Sequence, residues 1–416
     1  MRQSKGALIL LFILAITGVN GQSISSIYSD RGIGLINYQG LPNNLAMGEV
    51  GIAVPSRFEL NFQNPAFLPL NSLTIFQVGL EMDRRSLAND EQSTKEVAAG
   101  LRYLNFAFPV ISGKWTTSFG ITPYTTTNYK SFAVDSLNNN QVAVLTNFTG
   151  RGGLTSFSWA NGFKIANQLY VGMRASYLFG SIENRSRTFL SDALSSNYVI
   201  DFNNESSYKG LGLEFSTGYR KQLDDERVLN FGAIYELSGD LKGKNNQFFE
   251  TLSSTGLVIS LRPITENDRV SFSKPSSFGL GTSYQVYNKY TIGIDVTSAN
   301  WEAAGSDGDS FINTTKIGVG GRWTPDYSSV NNYWKRVTYR MGVSLGNLPY
   351  EVGGQTIREF GINFGASLPV GVSSLDLAFK YGGLGTTENS LIRETYFRVV
   401  MGATINDRWF IKRRYN

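Results

Sequence analysis

LYVGMRASYLFG, residues 169–180, decides the fold: Leu169, Val171, Met173, Ala175, Tyr177 and Phe179 stand on one face, and Tyr170, Gly172, Arg174, Ser176 and Gly180 share the other with Leu178. Successive side chains of a strand point to opposite faces, so one face suits lipid and the other a polar interior. A single soluble strand reads the same way, so the weight falls on recurrence.

The split recurs. Leu211, Leu213, Phe215 and Tyr219 oppose Gly212, Glu214, Ser216 and Arg220, and Leu229, Phe231, Ala233, Tyr235 and Leu237 oppose Asn230, Gly232 and Glu236. Later stretches repeat it, with Asp295, Arg340, Asp376, Lys380 and Arg398 on the polar side. Between Leu73 and Ile405 fourteen such segments follow one another. Short connections (109–113, 164–168, 221–226, 288–289, 369–373) alternate with long ones (84–96, 125–152, 184–207, 241–276, 297–313), and only 325–335 is long where a short turn is due. Tight turns at one end and exposed loops at the other predict an all-β fold, a 14-stranded antiparallel transmembrane β-barrel.

Composition agrees. Gly numbers 44, aromatics reach 13%, and hydrophobic residues only 41%, a mixture that suits a barrel with aromatic girdles better than a helical bundle. Arg2 and Lys5 precede an apolar run from Ala7 to Ile16, and Val19 and Gly21 stand as small residues before Gln22. This pattern predicts a signal peptide over 1–21. That run is short for a transmembrane helix, and no later stretch is longer, so any span must be made of strands. Cys and His are both absent, which excludes Cys/His zinc sites and His-dependent triads. The net charge is +5, and cleaving off Arg2 and Lys5 leaves +3, with the remaining cations scattered. Nucleic-acid binding has no footprint here. The expectation is a protein that is not an enzyme and needs no cofactor or metal.

Fourteen strands enclose more space than their own side chains fill, since about eight are already filled. Residues 22–70, rich in Gly and Pro, are expected to form an N-terminal hatch inside the lumen, followed by the barrel over 71–405 and a periplasmic tail over 406–416. The wall charges Arg174, Glu214, Arg220, Glu236, Asp295, Arg340, Asp376, Lys380 and Arg398 then either hold the hatch or line water. Three weaker signals carry nothing further: IGVGGRW (317–323) is wall glycine with no following helix, Asp307 and Asp309 lack the rest of a calcium set, and Asp224 and Asp225 suit a tight turn. Sequons at Asn147, Asn184, Asn204 and Asn313 fit exposed loops.

The run LAMGEVGIAVPSRFELNFQNPAFLPL, Leu45 to Leu70, resembles the N-terminal segment of the FadL family of outer-membrane transporters and of its PorV-type secretion-associated relatives, with Asn64, Pro65 and Ala66 as the matching triplet. GRGGLTSFSWANGFKIANQLYVGMRASYLFGSIE and the closing ETYFRVVMGATINDRWFIKRRYN are similar to FadL-like barrels of the Bacteroidetes. The resemblance implies an N-terminal hatch and, in some members, sideways passage of hydrophobic molecules where strand three is kinked. Pro123 lies in the third segment and marks either such a kink or merely the outer end of that strand. Phe58, Phe62, Phe67 and Leu68 are candidates to grip an apolar ligand, or else form the hatch's own core, and Arg57 with Arg174 would supply a carboxylate clamp.

Two functions follow. One is passive uptake of small hydrophobic molecules by a FadL-like barrel in the outer membrane, multi-pass, with both termini periplasmic. The other is a non-conducting accessory subunit of a type IX, PorV-like secretion complex or of a barrel-assembly complex. Outer-membrane lipid is a partner under both; a hydrophobic small molecule belongs to the first and other outer-membrane proteins to the second.

Overall fold

Each strand of the barrel crosses from a tight turn at one end to a long hairpin at the other. The computed structural model describes residues 25–89, 93–137, 142–192, 199–253, 257–305, 310–388 and 391–408. The stretch 1–21 expected as a signal peptide, Asp307, Asp309 and residues from Trp409 onward lie outside the described residues.

A two-residue strand β1 (Leu35–Ile36) precedes the wall. The wall comprises β2 (Thr74–Ala88), β3 (Ser93–Ile111), β4 (Trp115–Pro123), β5 (Thr125–Leu137), β6 (Val142–Lys164), β7 (Leu169–Asp192), β8 (Val199–Gln222), β9 (Arg227–Glu236), β10 (Gly239–Leu252), β11 (Val258–Lys274), β12 (Ser277–Val286), β13 (Tyr290–Ala299), β14 (Thr314–Trp323), β15 (Thr338–Val352), β16 (Gln355–Val370), β17 (Ser373–Leu384) and β18 (Arg393–Asp407). Three staves are interrupted, at Tyr124 between β4 and β5, at Leu237–Ser238 between β9 and β10, and at Pro275–Ser276 between β11 and β12. Counted as whole staves there are fourteen, all antiparallel, and β18 pairs with β2 from Asp407↔Thr74 to Arg393↔Ala88 to close the ring. Ring closure pairs the wall's backbone groups strand to strand, the condition a sheet must satisfy to cross a bilayer, everywhere but at one break between β3 and β5.

The alternation sets the faces. On β7 and β8, Met173, Tyr177, Phe179, Leu211, Leu213 and Phe215 are exposed, whereas Tyr170, Leu178, Glu214 and Ser216 are buried toward the lumen. Leu211 is 69% and Met341 72% exposed, and similar apolar residues ring the wall. A continuous apolar belt of that extent is tenable only against lipid.

The connections expected to be tight are tight, and they lie together at one end. Residues 324–337 are longer there because Asn332 caps a helical turn, Tyr333–Arg336, with its side chain. At the other end the structure departs from the sequence reading. Stretches expected as loops, 125–152, 184–207 and 241–276, are mostly strand, running as β5 into β6, β7 into β8 and β10 into β11. About 9–11 residues span a bilayer's hydrocarbon core, whereas β8 has 24. Its surplus, and that of its neighbours, stands beyond the lipid as paired hairpins. Neither face meets lipid there, so the period-two contrast that marks a lipid-facing strand is lost.

Candidate functional site

Residues 25–71 precede the first wall strand and are packed against its inward faces. The backbone N–H groups of Gly51 and Ile52 donate to Asp295 Oδ2 at 2.6 and 2.8 Å, the Ser283 hydroxyl donates to the Ala53 carbonyl at 2.5 Å, and Asn64 Nδ2 donates to the Thr217 carbonyl at 3.1 Å. Arg174 donates to the Phe62 carbonyl, lies over the Phe62 ring and pairs with Glu214 at 3.3 Å. These contacts reach β7, β8, β12 and β13, so the segment is held from several sides of the ring.

Two carboxylates fix its centre. Glu49 binds Lys380 Nζ at 2.7 Å and also Lys316, while Lys380 bridges onward to Glu359 at 2.8 Å. Glu59 binds Arg340 at 2.5 Å and Arg322 at 3.3 Å. Burial pushes the Glu49 carboxyl up, but the Lys316 and Lys380 ammoniums outweigh burial and hold it below the ordinary carboxylate range. For Glu59, burial likewise raises, and Arg340 and Arg322 prevail to lower it. Both acids stay charged and paired, as buried charges must.

Gly48 shows why this segment carries glycine where it meets the wall. Its φ is +69°, and an added Cβ would lie 2.5 Å from the Val319 carbonyl oxygen and 2.6 Å from Val343 N. The wall is stripped to match, since Gly318, Gly320 and Gly342 face the Met47–Gly48 backbone. Gly48→Ala is therefore expected to cost about 1–3 kcal/mol in overpacking alone, read as a fall in the temperature at which the unheated barrel loses its compact migration on a gel.

Next to this segment the wall is incomplete. Pro123 offers no N–H to a ladder, and β4 ends there while β5 continues the same stave for thirteen residues. β3 pairs with β4 only from Leu104↔Ile121 to Ile111↔Trp115. Among the described residues, Ser93–Tyr103 of β3 pairs with β2 alone, and β5 from Thr127 onward pairs with β6 alone. β5 begins instead on the N-terminal segment, Leu35↔Thr126 and Ile36↔Thr125. Asn37 N donates to the Tyr124 carbonyl at 3.0 Å, and Gln39 Nε2 to that of Pro123 at 3.1 Å. Buried Arg102, at the bulge of β3, pairs with Glu81 at 3.3 Å and donates to the Tyr38 carbonyl. A chamber of about 350 Å³ adjoins this break, lined by Ile36, Gln39, Phe62, Tyr124, Arg174 and Trp301 among others.

The candidates read from sequence scatter. Phe62 lines the chamber and joins Leu68 in a buried cluster with Leu41, Leu60, Ile75 and Tyr103. Phe67 packs with Ala66 on Tyr170, its ring 6.1 Å away. Phe58 is 43% exposed in a separate cavity at the turn end, so the four do not form one grip. Arg57 lines that same far cavity while Arg174 lines the chamber, and the two do not converge as a clamp. Asn64 caps the turn Pro65–Leu70 through Ala66 N at 3.0 Å. Pro123 is the last residue of β4, and the stave resumes beyond it as β5.

Of the wall charges, Arg174, Glu214, Asp295, Arg340 and Lys380 touch the N-terminal segment or the residues that hold it. Arg220 binds Asn230 and Tyr287, Glu236 binds Lys274, and Arg398 binds Asp83 at 3.0 Å. Asp376 accepts from Thr404 at 2.8 Å and from Ser367, whose hydroxyl also meets Asn43. Sequence reasoning missed Glu49, Glu59, Lys316 and Arg322. The signal was there: Glu49 and Glu59 join Asp30 as the only acids in residues 25–71, set in apolar surroundings that demand cations.

The sequence matches the BamG family over residues 3–416. No curated protein sequence matches. Among solved structures, the Ralstonia pickettii toluene transporter TbuX superposes with a TM-score of 0.58 at 15% identity, covering 89% of this chain and 99% of that one. The P. putida toluene transporter TodX gives 0.58 at 16%, covering 90% and 100%. A Pseudomonas aeruginosa FadL homologue gives 0.56 at 12%, covering 87% and 97%. At these identities the likeness is one of fold, the FadL-type transmembrane barrel.

Proposed function

The chain belongs to the BamG family, and from that premise we propose that it lies in the outer membrane with both termini periplasmic and passes small, largely apolar molecules sideways. Residues 22–70, freed of a signal peptide over 1–21, act as a seated plug in the barrel of 71–405, and 406–416 remain a periplasmic tail. A molecule enters from the hairpin end, rests in the chamber and leaves into the bilayer between β3 and β5. The observation that supports this reading is the stave broken at Tyr124, a residue that lines the chamber, together with Ser93–Tyr103 of β3, which pairs with β2 but has no ladder partner on the side toward β5. Solved barrels of the same fold include proteins described as toluene transporters and as a monoaromatic hydrocarbon channel.

Gly100 offers the test. It lies on the part of β3 that pairs with β2 alone, and a Cβ added there meets nothing within 4 Å. Gly100→Trp fills the opening without disturbing the packed segment, and passage is governed by the free cross-section. Uptake of a radiolabelled alkylbenzene by cells carrying the chain should fall by roughly an order of magnitude. Unchanged uptake in a folded variant would refute sideways passage.

A second reading, an accessory subunit of an outer-membrane assembly, is favoured by one feature: the β10–β11 hairpin carries exposed Leu257, Val258, Ile259, Leu261 and Ile264 beyond the wall. Exposed apolar clusters of this kind mark contact surfaces. Purification from native membranes separates the two, since a stoichiometric large partner favours the second and a lone barrel favours the first.

A further inference from the structure

On the outward face of β8, β10 and β11 four cations stand together. Lys209 lies directly opposite Lys242, and Lys244 directly opposite Arg269. All four are exposed and line one surface cavity of about 760 Å³ with Tyr177, Phe179 and Ser207. Like charges directly across a ladder are destabilising, and residues two apart on a strand repeat the crowding at roughly 7 Å. Among the described residues none of the four is in an ion pair; Lys244 Nζ reaches only the Asn267 amide oxygen at 3.1 Å. No carboxylate lines the cavity, and the nearby Asp240 is engaged by the Ser273 hydroxyl at 2.8 Å.

The depth of the cluster is specific. Tyr177 pairs with Leu211, the last apolar row, and the next row along the same face is Phe179–Lys209–Lys242. Counting from the turn end, Leu169 to Phe179 and Tyr219 to Lys209 are each the length of about 9–11 residues that crosses the hydrocarbon core. Tyr177 and Phe179 stack at 5.6 Å between centroids, an aromatic pair at the level where such residues mark the interface. The cations therefore begin where lipid headgroups begin.

We propose that Lys209, Lys242, Lys244 and Arg269 bind the phosphates of a phosphorylated glycolipid in the leaflet at the hairpin end, with its acyl chains along Tyr177, Phe179 and Leu211. The inference rests on the reading that the barrel crosses the outer membrane with its hairpins outward. A multiply phosphorylated headgroup matches four donors held as two adjacent pairs, relieving a repulsion that no ion pair among the described residues relieves.

The test titrates the intact detergent-purified barrel with diphosphorylated lipid A and follows retention by native mass spectrometry. The variant K209Q/K242Q/K244Q/R269Q is expected to weaken retention by about a hundredfold, the scale set by several Lys and Arg at an anionic lipid surface. R84Q/K95Q, removing outward cations elsewhere on the wall, should leave it unchanged. Compact migration of unheated protein confirms folding, and if the fourfold variant fails it, K209Q/K242Q and K244Q/R269Q each serve, with a smaller loss expected. Equal retention by the variants, equal binding of dephosphorylated lipid A, displacement by millimolar inorganic phosphate, or preferential binding of polyglutamate would each overturn the proposal. Membrane fractionation is scored separately: a chain found outside the outer membrane refutes the underlying reading, not the site.

Discussion

Lys380→Met is expected to unseat the N-terminal segment. Lys380 is 1% exposed and joins Glu49 of that segment, at 2.7 Å, to Glu359 of the wall, at 2.8 Å. Methionine keeps the volume and removes the charge, leaving Glu359 without an ammonium and Glu49 with Lys316 alone. Removing one partner of a buried pair typically costs about 3–5 kcal/mol, because the remaining charge stays buried uncompensated. The loss falls on docking of the segment more than on the wall, whose ladder does not involve the ammonium. Amide exchange over residues 44–54 should accelerate while exchange in β16 and β17 changes little. Adding Glu359→Gln to Lys380→Met should return part of the protection, since the orphaned acid is then gone. Exchange in Lys380→Met equal to the parent would show that the pair is not a fastening.

Deleting residues 25–70 should open the barrel to ions. Small barrels are closed by their own side chains at about eight strands, and 16–18 strands leave an aqueous channel. At fourteen staves the closure falls to the segment that contacts Asp295, Lys380, Arg340 and Ser283. Without it those inward groups face a polar, water-filled bore. In planar bilayers the full chain should be quiet, and the deletion variant should give large, steady steps of current. A folded deletion variant that stays silent would mean that the wall or the hairpins close the bore.

The fold was legible because lipid imposes a period of two wherever a strand crosses it. Leu211, Leu213 and Phe215 against Glu214 and Ser216 needed no partner to be read. Turn lengths then gave the strand count. The hairpins were not legible: in GKNNQFFE (243–250), the lack of lipid on either face removes the contrast, although the ladder to β8 and β11 persists. Pro123 was visible, but its meaning depended on whether TTTNYKSFAVDSL (125–137) continued as strand, and that stretch alternates weakly. Inward charges were readable as inward, while their partners were not. Glu49 and Lys380 lie 331 positions apart, and only the folded position of the N-terminal segment brings them together.

The most direct test of sideways passage with a seated plug is to staple the plug in place. Leu35 and Thr126 are register partners in an antiparallel pair, whose Cα separation of about 4.5–5.5 Å suits a disulfide, and the chain has no cysteine of its own to interfere. With L35C/T126C oxidised, alkylbenzene uptake should match that of the reduced protein, because the account keeps the segment seated while a molecule passes. Uptake abolished by oxidation and restored by reductant would contradict the account and make withdrawal of the plug the route across.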